Sequence, residues 1–159
     1  MTLYMGKFPG SCVEDAINKV RDTDLGVSVG ECSAASLSLT EGGYIEVGYS
    51  KTVTLVALQA RVAAGLVDLA LPVAIPLHVT PSVNQRDNIV RYKYELMGDS
   101  FRPHITLGRL APEGRMSLWP IKLPEFSFWP TRLVVGEADE QGSMREIWAE
   151  RGLQSPNAQ

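Results

Sequence analysis

Two short segments of the sequence place a histidine two residues before a threonine. His78 and Thr80 occur in Leu-His-Val-Thr-Pro, and His104 and Thr106 occur in Pro-His-Ile-Thr-Leu. The 159 residues contain no other histidine. Histidine exchanges protons near neutral pH with little tuning, and a hydroxyl nearby can donate to an oxygen on which charge develops. The repeated spacing therefore predicts a site for acid–base chemistry.

Both segments have the composition of short β-strands, in which successive side chains point to opposite faces. His104 and Thr106 then share one face, whereas Ile105 and Leu107 share the other. We expect the two histidine–threonine pairs to face one groove. We expect Val79, Ile105 and Leu107 to be buried behind them.

Two facing imidazoles can divide the cleavage of a phosphodiester between them. The neutral ring removes a proton from the attacking hydroxyl or water, and the protonated ring donates one to the leaving oxygen. Neither motif is accompanied by an Asp, Cys or His cluster of the kind that binds a metal ion. The pattern therefore predicts catalysis without a metal or another cofactor.

The formal net charge of −3 argues against binding of long duplex nucleic acid, which needs a broad basic surface. Affinity for phosphate must then come from a few cations at short range. The candidates are Arg91 and Lys93, on a strand predicted at residues 89–97, and Arg102 and Arg109, which flank the second motif. We expect at least one of the four to contact a substrate phosphate.

The remaining elements are those of one α+β domain over residues 1–153, followed by a disordered tail at 154–159. A capping pattern at Ser11 predicts a helix to about residue 22, and alternation around Glu41-Gly42-Gly43 predicts a hairpin at 36–49. Apolar residues at helical spacing predict a second helix from about 52 to 67. Late strands are predicted near 126–128, 132–136 and 147–148. We expect mostly antiparallel sheets in two lobes, outer helices and a central groove carrying the two His-x-Thr strands.

Several patterns bear on where the protein acts. The apolar stretch at 53–79 is interrupted by charged residues and prolines, so no membrane span is predicted. The N-terminus lacks the features of a signal peptide. Cys12 and Cys32 are predicted to be free thiols in a reducing compartment. Together these patterns predict a cytoplasmic protein.

The segment Arg-Pro-His-Ile-Thr-Leu-Gly-Arg at residues 102–109 resembles the second motif of the two-histidine (2H) phosphoesterases. That superfamily includes RNA 2′,5′-ligase-like proteins and cyclic nucleotide phosphodiesterases. Residues 126–151 resemble its C-terminal end, and His78-Val79-Thr80 resembles its first motif. The resemblance implies that His78 and His104 are the catalytic pair and that Thr80 and Thr106 bind the phosphate.

The same resemblance implies a substrate class: 2′,3′-cyclic phosphates, 2′,5′ linkages, or cyclic mono-, di- or oligonucleotides. Family members encoded by viruses degrade the cyclic-nucleotide signals of host immunity. For this chain the resemblance implies, if the protein is viral, an enzyme that acts on these signals in the host cytoplasm.

Two alternatives remain open at the level of sequence. The two motifs lie closer together in the chain than is usual in the family, and Pro81 directly follows Thr80. These features favour, as the first alternative, a catalytically inactive relative that binds and sequesters a nucleotide. The second alternative is a structural or interaction protein in which the repeated spacing is coincidental. The distance between the two imidazoles distinguishes an enzyme from this second alternative.

Overall fold

A computed structural model of the chain describes residues 1–23, 28–73, 80–110, 126–139 and 144–153. These residues form an α+β fold with antiparallel sheets. The helices are α1 (Val13–Asp22), α2 (Val53–Leu66) and α3 (Val83–Tyr92). The strands are β1 (Cys32–Leu39), β2 (Tyr44–Tyr49), β3 (His104–Arg109), β4 (Ser127–Phe128), β5 (Arg132–Ala138) and β6 (Met144–Gly152). Within these segments no helix has the length and apolar character needed to cross a membrane.

The strands form two sheets. Four of them make a sheet in the order β3-β2-β1-β4, and β5 pairs with β6 in a second sheet. The predicted hairpin is confirmed as β1 and β2, with Leu37 opposite Val47 and Gly43 at a φ of 85° in the turn. A positive φ is readily adopted by glycine, which has no Cβ to clash. The predicted late strands are confirmed as β4, β5 and β6.

A side-chain cap starts α2 but not α1. The helix predicted from about residue 52 is confirmed as α2, and its N-cap Thr52 accepts a hydrogen bond at Oγ1 from the Leu55 amide at 3.2 Å. The predicted capping box at Ser11 is not formed, because a 3-10 turn at Gly10–Cys12 precedes α1. Cys12 occupies the N-cap of α1 without a side-chain hydrogen bond. The helix itself ends at Asp22, as predicted.

The strand predicted at residues 89–97 is wrong, because most of that segment belongs to α3 and to the turn after it. Ser82 and Gln85 form a capping box that starts the helix at Val83, six residues before the alternating pattern begins. Lys93, at a φ of 57°, ends it. The Asn88 side chain then donates to the carbonyls of Glu95 and Met97, which folds the following segment back on α3. Arg91 and Lys93 are therefore not on a strand.

Helix α2 shares one hydrophobic core with the four-stranded sheet, and α1 packs against α2. Leu37, Val47 and Ile105 stand opposite one another on β1, β2 and β3 and contribute to this core. The other core residues include Ala16, Val20, Cys32, Tyr49, Leu55, Leu58, Val62, Leu66 and Phe101. Both cysteines are free, as predicted. Burial raises the pKa of the Cys32 thiol, which disfavours its reactive thiolate form.

The β5–β6 hairpin packs onto the core beside α1. Leu133 and Val135 contact the core, and the Arg151 guanidinium donates to the carbonyls of Arg21 at 2.9 Å and Val20 at 3.5 Å and to that of Thr23. These carbonyls lie at the C-terminal end of α1, where a cation is favoured. The expected two-lobed arrangement around a groove stays a prediction, because the strand expected to carry His78 lies outside the described residues.

Candidate functional site

His104 and Thr106 lie on the face of the four-stranded sheet that is turned away from the core. In the β2–β3 ladder His104 is opposite Gly48, and Thr106 is opposite Glu46. Directly opposed residues of an antiparallel pair point to the same side of the sheet. Between them Ile105 is opposite Val47 and points into the core. The predicted alternation of residues 104–106 is therefore confirmed.

Leu107 breaks this alternation. It was expected to be buried, but it is 63% exposed. The pairing passes from Thr106 opposite Glu46 to Gly108 opposite Ile45, which leaves Leu107 as an additional, unpaired residue of β3. Such a bulge shifts the alternation by one residue. The expectation that Leu107 is buried is therefore wrong for this physical reason.

The same bulge brings Arg109 to the side of the sheet that carries His104. Arg109 is opposite Tyr44, which lies two residues before Glu46 on β2 and hence on the same face. Its guanidinium carbon is 5.1 Å from the centroid of the Tyr44 ring, and its Nε donates to the Gly42 carbonyl at 3.0 Å. We call this side of the sheet the His104 face; its side chains are Ser36, Ser38, Tyr44, Glu46, His104, Thr106 and Arg109.

The backbone just before β3 fixes the imidazole of His104. Nδ1 lies 2.7 Å from the carbonyl oxygen of Arg102. Because a carbonyl oxygen can only accept, Nδ1 carries the proton of this hydrogen bond and Nε2 bears the lone pair of the neutral ring. Nε2 is 3.8 Å from Oε1 of Glu46, and 21% of the side chain is exposed. The ring thus presents its free nitrogen on the His104 face.

Glu46 is the charged residue of this face that the sequence did not single out. Its side chain is only 10% exposed, and its Oε2 lies 3.9 Å from an Nη atom of Arg102, whose side chain is 61% exposed. The carboxylate therefore lies between an imidazole and a guanidinium. Neither separation is a hydrogen bond, since charge-assisted contacts are about 2.7–2.9 Å long.

Gly48, which has no side chain, is the residue of β2 directly opposite His104. It lies between Ser36 of β1 and His104 of β3. A Cβ at this position would collide with the Ser36 side chain. Glycine in a strand interior commonly marks a place where another group approaches closely. The absence of a side chain at Gly48 therefore accommodates the Ser36 side chain beside it.

The other predicted site residues lie elsewhere or outside the described segments. Thr80 is exposed and precedes the cap of α3, whereas His78 lies outside the described residues, so the His78–His104 pair stays a prediction. The Arg91 guanidinium carbon is 5.0 Å from the centroid of the neighbouring Tyr92 ring on α3. Lys93 Nζ donates to the Val90 carbonyl at 2.8 Å and so contacts the C-terminal end of α3.

Comparison with protein-family models, with curated proteins and with solved structures gives no match to this chain. Its function has to be inferred from the chemistry of the His104 face and from the motifs of the sequence.

Proposed function

We propose that the His104 face binds a nucleotide-sized phosphodiester and cleaves it by acid–base catalysis. The observation that carries this proposal is the geometry of His104, whose Nδ1–H is held by the Arg102 carbonyl while Nε2 lies on the side of the sheet that bears Thr106. In this tautomer the neutral ring accepts a proton at Nε2, and the protonated ring donates one from the same atom. Both are steps that phosphodiester cleavage requires.

Thr106 and the two arginines supply the groups that a phosphate needs. Thr106 is exposed and lies two residues along β3 from His104, about 7 Å away at the strand rise of roughly 3.4 Å per residue. That spacing leaves room for one phosphate group between the hydroxyl and the imidazole. The Arg102 guanidinium is beside Glu46, and Arg109 is on the same face near the hairpin turn. Guanidinium groups bind phosphate oxygens in a bidentate manner.

The resemblance to the two-histidine phosphoesterases supports the choice of substrate. By that resemblance His78 supplies the second imidazole and Thr80 the second hydroxyl, and no metal takes part. The substrates to be tested are a 2′,3′-cyclic nucleotide, a 2′,5′-linked dinucleotide, a cyclic dinucleotide and a cyclic oligonucleotide. Turnover of the last two would agree with the degradation of host immune signals by a viral enzyme.

The test is turnover of this panel by the parent protein and by His104→Ala, in buffer containing EDTA. General acid–base catalysis contributes about 10²–10⁴-fold, so we expect His104→Ala to lose on the order of a hundredfold or more in kcat/KM. Asn84→Ala, at an exposed position of α3, is the control and should keep the parental rate.

Two results would contradict the proposal. Binding of a nucleotide without turnover would leave the sequestering protein as the function. Activity that EDTA abolishes and a divalent metal restores would rule out the metal-independent mechanism.

A further inference from the structure

Glu46 is a charged group in an unusual position. Among the described residues it is the only Asp, Glu, Lys, Arg or His that is buried, at 8% exposure. A buried carboxylate is unfavourable unless it is paired and hydrogen-bonded. The His104 imidazole and the Arg102 guanidinium are instead 3.8 and 3.9 Å from Glu46, beyond hydrogen-bond length. The carboxylate oxygens therefore keep the capacity to accept a proton or a hydrogen bond from a further group.

The spacing of Glu46 and His104 matches the geometry of phosphoryl chemistry. In an in-line displacement the attacking and leaving oxygens stand on opposite sides of phosphorus. In two-metal sites, ions about 3.5–4 Å apart hold these two oxygens. Glu46 Oε1 and His104 Nε2 are 3.8 Å apart on one face of the sheet. One can thus serve the attacking oxygen while the other serves the leaving oxygen.

We propose that Glu46 is the catalytic base of the His104 face and that His104 is its acid. This proposal rests on the function proposed above and goes beyond it, because it assigns the base to a residue of β2. In the step, the attacking O–H bond breaks and its proton passes to the Glu46 carboxylate as the new O–P bond forms. The bond between phosphorus and the leaving oxygen breaks with its electron pair, and that oxygen takes the proton from His104 Nε2.

Afterwards Glu46 is protonated and His104 is neutral, and proton exchange with solvent restores both. The exposed guanidinium of Arg102, next to Glu46, stabilises the negative charge on the non-bridging oxygens. The attacking O–H belongs either to water or to a ribose 2′-hydroxyl. The chemistry at Glu46 is the same in both cases, but the products differ.

The experiment compares substrates that differ in their leaving group. A ribodinucleoside monophosphate releases an alkoxide, which needs an acid. A ribonucleoside 3′-(4-nitrophenyl) phosphate releases nitrophenolate, which needs none. We expect Glu46→Gln to lose about 10²–10⁴-fold in kcat on both substrates. We expect His104→Ala to lose that much on the dinucleotide and far less on the nitrophenyl ester.

Further variants separate catalysis from folding. Glu46→Asp keeps a carboxylate and should recover part of the rate, whereas Glu137→Gln removes a glutamate charge from an exposed position of β5 and should change nothing. The 2′-deoxy nitrophenyl ester identifies the nucleophile. Its cleavage indicates water, and its resistance together with a 2′,3′-cyclic product of the ribo ester indicates the 2′-hydroxyl.

Each outcome has a definite meaning. The base is elsewhere if the parent and folded Glu46→Gln cleave the substrates at the same rate whereas His78→Ala cleaves them more slowly. In that case only this inference fails. If His104→Ala loses equally on both substrates, the assignment of His104 as the acid is wrong. If the parent cleaves neither these substrates nor the cyclic and 2′,5′-linked nucleotides, the proposed function fails as well.

Discussion

Two clusters of charged side chains in this protein differ in how closely their members approach. Arg151 of β6 donates to carbonyls at the end of α1, with a nitrogen–oxygen distance of 2.9 Å to Arg21. Glu46 of β2 is more deeply buried, yet it lies 3.8 Å from His104 and 3.9 Å from Arg102. A charge that holds elements together is expected to have short hydrogen bonds. A charge that must receive a substrate is expected to keep some of its bonding capacity unused.

The contacts of Arg151 connect segments that are far apart in the chain. Their removal should therefore have the largest effect on stability. Arg151→Ala removes charge-assisted hydrogen bonds that join the β5–β6 hairpin to α1. Hydrogen bonds to a charged group are worth about 1.5–3 kcal/mol, so we expect the free energy of unfolding to fall by about 2–3 kcal/mol. Urea denaturation measures it.

The matched control for Arg151 is Arg132, whose guanidinium lies 2.9 Å from Glu150 with both side chains more than half exposed. An exposed ion pair contributes about 0–1 kcal/mol. Arg132→Ala should therefore have little effect. Equal destabilisation by the two variants would show that the contacts of Arg151 with α1 do not hold the hairpin in place.

Arg102 provides the corresponding test of the second cluster, in which the measured quantity is the affinity for a nucleotide. A charge-assisted contact with a substrate phosphate is worth about 1.5–3 kcal/mol. We expect Arg102→Ala to weaken binding of a cyclic dinucleotide roughly ten- to a hundredfold, as measured by calorimetry, with Arg132→Ala as the control. Arg109→Ala should have a smaller effect, because Arg109 already contacts Gly42 and Tyr44.

The dependence of this affinity on salt concentration gives a further test. Few counterions are released when a short nucleotide binds, so affinity should change little between two ionic strengths. A steep salt dependence of the affinity would show that phosphate is bound elsewhere. Affinity equal to that of the parent in both Arg102→Ala and Arg109→Ala would show the same.

The smallest expected effect is that of Glu46→Gln on stability. Replacing a buried, loosely paired charge by a neutral group is often neutral or stabilising. We expect the free energy of unfolding to change by less than about 1 kcal/mol, or to rise, although kcat falls steeply. Urea denaturation and kinetics on the same preparation test both halves. A loss of stability as large as that expected for Arg151→Ala would make Glu46 a structural residue.

Much of the fold could be predicted from local sequence. The hairpin at 36–49, the helix capped by Thr52 and the late strands each have a turn, cap or alternation that is contained in a short segment. The alternation at 89–97 does not give a strand, because it competes with a capping box at Ser82 and Gln85, which lies outside that segment. A helix start with two reciprocal hydrogen bonds prevails over a weak strand pattern.

The sequence by itself determined that His104 and Thr106 share one side of a strand and that Ile105 faces the core, because alternation is a property of the extended backbone. Only the tertiary structure decided which groups surround them. Glu46 reaches His104 through the pairing of β2 with β3, and Arg109 reaches the same face through the bulge at Leu107. Strand register depends on packing against the core, which no short segment encodes.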